Sequence, residues 1–304
     1  MQIDPRHLEQ LAVIVEAGTL QLAAERIGTS QPALSRMIGT LEARIGMPLF
    51  ERSTRPLTPT ALGLELSHQG RAIRTARLRA IETVDFGSRG FFGVLKLGAP
   101  PFLCRSLMSD AVASFLAARP NIRIDLTPDY RSGLMERIYR NQLDIVVGPS
   151  KFVDKGNTEL VLEPLFSDRI VIVGRAGHPV MQVDAPSVGD LDGITWVGHS
   201  ERSILLADME DALRMLGVRS PRVAFQSESA QAVLELLKQS DFLTVLPNYA
   251  IKADGGDGLA IAPIELPTQP HVISAITLAE RAESKLTSDF KAHLRAQAAA
   301  RYGA

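Results

Sequence analysis

The sequence is poor in cysteine and contains no long apolar run. A single cysteine, Cys104, occurs in 304 residues, which excludes an internal disulfide and a thiolate metal cluster and favours a reducing compartment. No stretch of about 18 apolar residues occurs that could cross a membrane. Asp4, Arg6 and Glu9 interrupt the N-terminal segment where a secretory signal needs apolar residues. The sequence therefore predicts a cytoplasmic protein without a membrane partner.

Patterns that would hold a metal or a cofactor are missing as well. The six histidines are scattered, with no pair one helical turn apart, and such pairs are what zinc sites on helices use. The glycine-rich segment at residues 254–258 lacks the later glutamate that a calcium loop requires. We therefore expect no metal and no cofactor.

Lysine is absent from the first 90 residues, in which all eleven basic side chains are arginine. With nine acidic residues, this segment has a net charge of +2, while the remainder of the chain has a net charge of −3. Arginine matches the geometry of phosphates and of guanine edges, so this bias favours contact with nucleic acid. A preference for arginine over lysine along the whole chain is the alternative explanation.

The amount of apolar sequence is that of an ordinary folded protein. Hydrophobic residues make up 45% and charged residues 22% of the chain, which excludes the disordered and low-complexity classes. Because the length is roughly twice that of a typical domain, we expect two domains, or a small domain joined to a bilobed one.

Apolar residues recur at helical spacing in three short segments near the N-terminus. Two of these segments predict helices over residues 5–17 and 20–27, the second with Leu22, Ala23 and Ile27 in its buried stripe. A helix, a tight turn and a further helix form the helix-turn-helix, whose second helix lies in the major groove of DNA. A plain three-helix bundle with a solvated polar face is the alternative.

The third helix is predicted to begin at Gln31, and it carries polar side chains near its N-terminal end. Glutamine pairs with adenine and arginine pairs with guanine in the major groove, so these positions are candidate base contacts. Residues 47–58 then predict a two-stranded wing, whose arginines reach phosphates or the minor groove. The candidate DNA-binding residues are Ser30, Gln31, Pro32, Ser35, Arg36, Arg52 and Arg55.

In order and spacing, the N-terminal motifs are similar to the signature of LysR-type transcriptional regulators. The sequence departs from the family pattern at Leu11 and Leu20, where phenylalanine is usual, and at Pro59, where glutamate is frequent. The resemblance implies a winged helix-turn-helix over residues 1–60 and a dimerising linker helix over residues 61–89. The matching segments are Ala23-Ala24-Glu25-Arg26-Ile27, Ser30-Gln31-Pro32-Ala33-Leu34-Ser35-Arg36, Leu41-Glu42, Ile45-Gly46, Pro48-Leu49-Phe50-Glu51-Arg52 and Leu57-Thr58-Pro59-Thr60-Ala61-Leu62-Gly63.

From residue 60 to about residue 85 the sequence predicts one long helix. Its 4-3 apolar spacing forms a seam for a pairing helix, in which only three of the six positions are large apolar residues. The seam consists of Leu62, Leu66, Gln69, Ile73, Ala76 and Ala80. The arginines expected on the solvated face are Arg71, Arg74, Arg77 and Arg79.

Strand and helix patterns alternate from residue 94 to residue 246. Such alternation predicts an α/β fold with parallel sheets and helices on both faces. Ligands of such sheets bind at the carboxyl ends of the strands. The order of elements resembles the LysR effector domain, which implies that residues 90–304 form two α/β subdomains around a cleft, like periplasmic binding proteins.

By the same resemblance, an effector cleft contains residues from several strand ends. Arg131 and Arg202 supply guanidinium forks for a carboxylate, and Phe102 supplies an apolar wall, so we expect a small organic acid with an apolar or aromatic portion. Ordinary surface arginines are the alternative. The candidate effector-binding residues are Pro101, Phe102, Arg131, Ser132, Arg202, Ser203, Ile204, Ser227 and Pro247.

Two further patterns point to other chemistry. Gly198-His199-Ser200-Glu201-Arg202 resembles the nucleophile elbow of hydrolases but lacks its final glycine, and a triad would also need His271 or His293. Cys104, at the start of a predicted helix, is a candidate oxidant sensor with a lowered pKa, or else a small buried hydrophobe. The second functional hypothesis is therefore a cytoplasmic solute-binding or hydrolytic α/β protein with a helical appendage.

The leading hypothesis is a LysR-type transcriptional regulator, not an enzyme, that responds to a small-molecule effector. Its expected partners are double-stranded promoter DNA, the effector and further copies of itself in a dimer or tetramer. RNA polymerase is a further candidate partner.

Overall fold

A computed structural model describes residues 3–51, 57–88, 92–184, 186–218, 221–252, 258–266, 270–279 and 283–303. The chain divides into two compact units, residues 1–90 and residues 91–304.

The first unit consists mainly of helices, and its short helices begin and end where the sequence predicts. Asp4, Thr19 and Ser30 each accept a hydrogen bond from the first turn of a helix, while glycines with positive φ end the three helices, a conformation that glycine adopts without steric cost. Leu22 was expected in the core but is 46% exposed, because α2 turns Ala23 and Ala24 inward instead. The helices are α1 Pro5–Ala17, α2 Leu20–Ile27, α3 Gln31–Ile45 and α4 Ala61–Ser88.

The base of the predicted wing is formed by two short paired segments. The Glu51 N–H donates to the Thr58 carbonyl at 2.9 Å, and the Thr60 N–H donates to the Leu49 carbonyl at 2.9 Å. The two wing arginines, Arg52 and Arg55, lie outside the described residues.

The long helix α4 packs on α1 of its own chain. Leu62, Leu66 and Ile73, the three large residues of the predicted pairing seam, contact the helical core. Arg74 pairs with Glu16 at 2.8 Å and Arg77 pairs with Glu9 at 3.0 Å, both on α1. These three apolar residues and the two arginines therefore stabilise the unit itself. The pairing of the seam with a second copy stays a prediction, and Arg77 is exposed, as expected of the solvated face.

The described residues of the second unit form ten strands in two five-stranded sheets, one for each lobe. The strands are β1 Val94–Ala99, β2 Arg123–Pro128, β3 Ile145–Pro149, β4 Leu160–Asp168, β5 Ile170–Arg175, β6 Thr195–His199, β7 Arg222–Ser227, β8 Phe242–Pro247, β9 Leu259–Ile261 and β10 His271–Leu278. The strand order is β2-β1-β3-β10-β4 in the first lobe and β7-β6-β8-β5-β9 in the second.

Helices cover these sheets, as the alternating pattern predicts. They are α5 Pro101–Leu103, α6 Ser109–Ala118, α7 Arg131–Tyr139, α8 Ile204–Met215, α9 Ala230–Lys238, α10 Asn248–Lys252 and α11 Lys285–Tyr302. A π-helical turn, Cys104–Met108, joins α5 to α6.

The sheets are mixed, so the expectation of parallel sheets is confirmed for three strands of each sheet and wrong for the other two. Strands β2, β1 and β3 are parallel, and so are β7, β6 and β8. However, β10 is antiparallel to β3 and β4, and β5 is antiparallel to β8 and β9. The reason is that the chain passes between the lobes twice, so β5 and β10 enter their sheets from the opposite lobe and not through a helical crossover.

Candidate nucleic-acid interface and ligand cleft

The N-terminal end of α3 presents the polar residues that the sequence singles out. Leu34, Met37 and Leu41 are buried and attach one face of α3 to the core. The polar side chains lie on the other faces of the helix. Exposed residues of this end are Ser30, Gln31, Pro32, Ser35 and Arg36.

The second unit contains a cleft at the carboxyl ends of its parallel strands. Its empty space is about 490 Å³ when the opening to solvent is included, but the enclosed part has room for no more than about one or two waters. A larger ligand therefore requires side chains or lobes to move. The lining residues are Pro100, Pro101, Phe102, Tyr130, Arg131, Pro149, Phe152, His199, Ser200, Ser203, Ile204, Leu205, Ser227, Glu228, Tyr249 and His271.

Six of the nine candidate effector residues line this cleft, and three described ones do not. Those outside are Ser132, Arg202 and Pro247. Sequence reasoning missed Tyr249 and His271 as cleft residues. Tyr249 directly follows the predicted junction after β8, so the alternation of strands and helices could have predicted it as a cleft residue. His271 was not, because only the antiparallel return of β10 brings it to the cleft.

Both candidate arginines already have carboxylate partners. Arg131 donates to the Phe152 carbonyl and to Asp154, each at 2.8 Å. Arg202 donates to Asp129 at 2.9 Å, and its guanidinium lies 5.4 Å from the centre of the Tyr130 ring. Neither side chain is an unpaired cation, so an anionic ligand would have to exchange with these carboxylates.

Polar contacts link the two lobes around the cleft. In addition to the Arg202–Asp129 pair, the Tyr130 hydroxyl donates to the Glu228 carbonyl at 3.0 Å, and Lys151 forms an ion pair with Asp208. These contacts hold the lobes together in the conformation that the structure shows.

Two buried histidines lie in the cleft with different surroundings. His199 donates from Nε2 to the Val245 carbonyl at 2.8 Å, and burial lowers its pKa. His271 is 4% exposed, and neither of its ring nitrogens has a hydrogen-bond partner. Burial, together with the nearby charge of Lys151, lowers the pKa of His271 from 6.5 to about 4.

We expect His271 to make the stability of the protein depend on pH. The unfolded chain takes up a proton near pH 6.5, whereas folded His271 resists protonation until about pH 4. Stability is therefore complete above pH 6.5 and falls as the pH drops toward 4, by roughly 3 kcal/mol at about 1.4 kcal/mol for each pKa unit.

Urea unfolding from pH 7 to pH 4 measures this effect by comparing wild type with His271→Phe. The variant keeps His178 and His199, whose pKa values are also lowered, so the difference between the two pH slopes reports His271 alone. Identical slopes would contradict the assignment.

The structure also decides the two other chemical patterns. The Ser200 hydroxyl donates to Glu228 at 2.9 Å, and His293 bonds Ser114 at 2.8 Å, so no catalytic triad is assembled by these residues. Burial raises the pKa of Cys104 to about 12. The lowered pKa expected of an oxidant sensor is therefore wrong, and the thiol is protonated at neutral pH.

Among the described residues, no group of three or more histidine, cysteine or carboxylate side chains is arranged to hold a metal. None of the described helices is long and apolar enough to span a bilayer.

A helix-turn-helix unit and a bilobed unit with a ligand cleft in one chain define a ligand-responsive transcriptional regulator. The model of the bacterial regulatory helix-turn-helix protein of the lysR family matches residues 5–64, and the LysR substrate binding domain matches residues 88–299. The chain belongs to the LysR family of transcriptional regulators, which are not enzymes. It is a DNA-binding regulator with an effector-binding domain.

Relatives and solved structures agree with this assignment. The chain is 30% identical to the SDS degradation transcriptional activation protein of a Pseudomonas species, over 80% of this chain and 79% of that protein. It is 27% identical to the regulator PcaQ of Agrobacterium fabrum, over 86% of this chain and 84% of that protein. Full-length CbnR in complex with its target DNA has the same fold, with a TM-score of 0.56 and 20% identity over 97% of this chain and all of that one.

Proposed function

We propose that the effector is a small organic acid with an apolar or aromatic portion, bound in the cleft. The observation that carries this proposal is the composition of the lining, in which Phe102, Phe152 and Ile204 surround the space and Arg131 contributes a guanidinium. Pockets with apolar walls and a few polar groups are typical of small-molecule sites.

Arg131 is the residue proposed to meet the carboxylate. Its bond to Asp154 involves a carboxylate whose side chain is 85% exposed, so water stabilises Asp154 when a ligand replaces it. Exposed ion pairs of this kind contribute little, and the exchange therefore costs little. We also propose that the protein is located in the cytoplasm, where promoter DNA is accessible.

A melting screen tests the effector class. We expect benzoate to raise the melting temperature. At a hundredfold excess over Kd, binding adds about 2.7 kcal/mol to the free energy of unfolding. Glucose and putrescine should leave the melting temperature unchanged. Arg131→Ala should lose most of this stabilisation. Arg140→Ala, at the C-cap of the same helix and outside the cleft, is the matched control. Stabilisation by the sugar or the amine that persists in Arg131→Ala would contradict the proposal.

We propose that α3 reads promoter DNA through the residues exposed at its N-terminal end, with the wing arginines Arg52 and Arg55 on the backbone or in the minor groove. The polar set Ser30, Gln31, Ser35 and Arg36 supports this because its donors and acceptors match base edges. Pro32 lies in the first turn of α3, where the N–H that proline lacks would have no helical partner.

We also propose that α4 pairs with the α4 of a second copy, in a dimer or a tetramer. Leu78, Ile81 and Val84 are 47%, 56% and 75% exposed and follow one another at three-residue spacing. Exposed apolar residues grouped in this way are typical of an association surface, and a two-fold operator needs two reading helices.

Light scattering on a dilution series tests this surface. We expect Ile81→Glu to shift the protein toward monomers by placing a charge in the interface. The control is Ala72→Glu, an exposed position of α4 nine residues away, which is two and a half turns and therefore on the opposite side. A wild-type protein that remains monomeric at every concentration would remove the basis of the proposal.

A further inference from the structure

His271 is a buried polar side chain with no partner, and it lines the cleft. It is the first residue of β10, opposite Asp168 at the end of β4, where the chain passes between the lobes. Its ring lies 6.4 Å from the ring of Tyr249, centre to centre, at an angle of 28°. Neither ring nitrogen has a hydrogen-bond partner.

An unpaired imidazole in this position is unusual because buried polar groups are nearly always hydrogen-bonded. His199, in the same cleft, shows the ordinary arrangement with its bond to the Val245 carbonyl. Leaving a buried donor and acceptor without partners costs stability, so His271 lowers the stability of the ligand-free protein. A ligand that pairs with His271 recovers this loss on binding.

The surroundings of His271 select the chemistry of that ligand group. The lowered pKa keeps the imidazole neutral at pH 7, so it offers one donor and one acceptor. The positive charge of the nearby Lys151 disfavours an ammonium group, which could only donate. A carboxylate could only accept, whereas a hydroxyl both donates and accepts and therefore pairs with either nitrogen in either tautomer.

We propose that His271 is the specificity-determining residue of the cleft, and that the effector carries a hydroxyl group that hydrogen-bonds to its imidazole. This inference rests on the proposed function, since it concerns the ligand of the same cleft. The apolar part of the ligand packs on Phe102, Phe152 and Ile204, the carboxylate pairs with Arg131 near Asp154, and the hydroxyl reaches His271.

Titration of the full chain with three matched probes tests the proposal. The probes are benzoate, 4-hydroxybenzoate and phenol, which together separate the carboxylate from the hydroxyl. Binding is followed by the fluorescence of Trp196, the single tryptophan, and by melting temperature. We expect 4-hydroxybenzoate to bind wild type about tenfold more tightly than benzoate, the effect of one good hydrogen bond.

Two variants assign that preference to His271. In His271→Phe, which removes both nitrogens but keeps a ring, the two acids should bind equally. In His271→Gln, which retains a donor and an acceptor, part of the preference should return. The melting temperature of ligand-free His271→Phe should rise by about 2–4 °C, because the unpaired polar group is gone.

The outcomes separate this inference from the proposed function. Equal binding of the two acids to wild type overturns the hydroxyl assignment and leaves the acid proposal intact. A hydroxyl preference that survives in His271→Phe overturns the role of His271. If phenol binds in a His271-dependent way while both acids fail, the inference stands and the acid class is wrong. If none of the three probes binds, both are overturned.

Discussion

Gly70→Ala is expected to destabilise the DNA-binding unit strongly. A Cβ at Gly70 would lie 1.9 Å from the carbonyl oxygen and 2.5 Å from the carbonyl carbon of Leu8. These are backbone atoms of α1, so the clash is relieved only by moving α1 away from α4. Because that movement also opens the contact near Ala12, we expect a loss of about 3 kcal/mol, the upper end of the usual cost of overpacking.

Gly87→Ala is the matched control for this prediction. Gly87 lies in the same helix, but a Cβ there meets nothing within 4 Å. The same substitution should therefore raise helix stability by up to about 1 kcal/mol, the difference in helix propensity between glycine and alanine.

Two signals distinguish the units during thermal unfolding. Trp196 is fully buried in the second unit and is the single tryptophan of the chain, so its fluorescence follows that unit alone. Far-ultraviolet circular dichroism follows the helices of both. Gly70→Ala should lower the temperature of the dichroism transition of the first unit and weaken DNA binding, while leaving the fluorescence transition in place. Unchanged dichroism in this variant would show that α1 and α4 do not pack as closely as described.

Gln31→Ala and Arg36→Ala are expected to weaken specific DNA binding without unfolding the protein. Both side chains are exposed on α3, away from the face that Leu34 and Met37 attach to the core. Loss of one good base contact costs about 1–3 kcal/mol, so the double variant should bind its operator at least about thirtyfold more weakly if the two effects add.

The operator for this measurement is obtained by selecting tight binders from random-sequence DNA with the wild-type protein. Arg44→Ala is the control, since it removes the same charge from the opposite end of α3. We expect it to weaken binding equally across sequences and by less than Arg36→Ala, as a change in overall charge does. Wild-type affinity in both Gln31→Ala and Arg36→Ala would mean that another face reads the DNA.

The sequence by itself determined the short helices and the order of strands and helices, because these depend on residues close together in the chain. The helices α1, α2 and α3 could be predicted because spacing, caps and glycines act within a few residues. The alternation of strands and helices in the second unit could be predicted for the same reason. It places candidate residues such as Phe102 and Ile204 at strand ends and so at the cleft.

The tertiary structure decided which apolar face meets which neighbour. The 4-3 spacing of α4 indicates an apolar stripe, but spacing is the same for a stripe that meets a partner and for one that meets α1. In the structure, the backbone at Gly63 and Gly70 closely approaches neighbouring segments of the same unit, which shows that the stripe packs within the unit. Leu78 and Ile81, farther along α4, stay exposed.

The tertiary structure also decided the chemistry of the cleft. Arg131 and Arg202 were predictable as cleft or rim residues, but their pairing with Asp154 and Asp129 depends on side chains that meet only after folding. His271 is in β10, which pairs with β3 although the two strands lie more than 100 residues apart in the chain. Its burial and its unpaired nitrogens follow from that antiparallel pairing, since a pattern within one segment carries no information about which distant strand it will join.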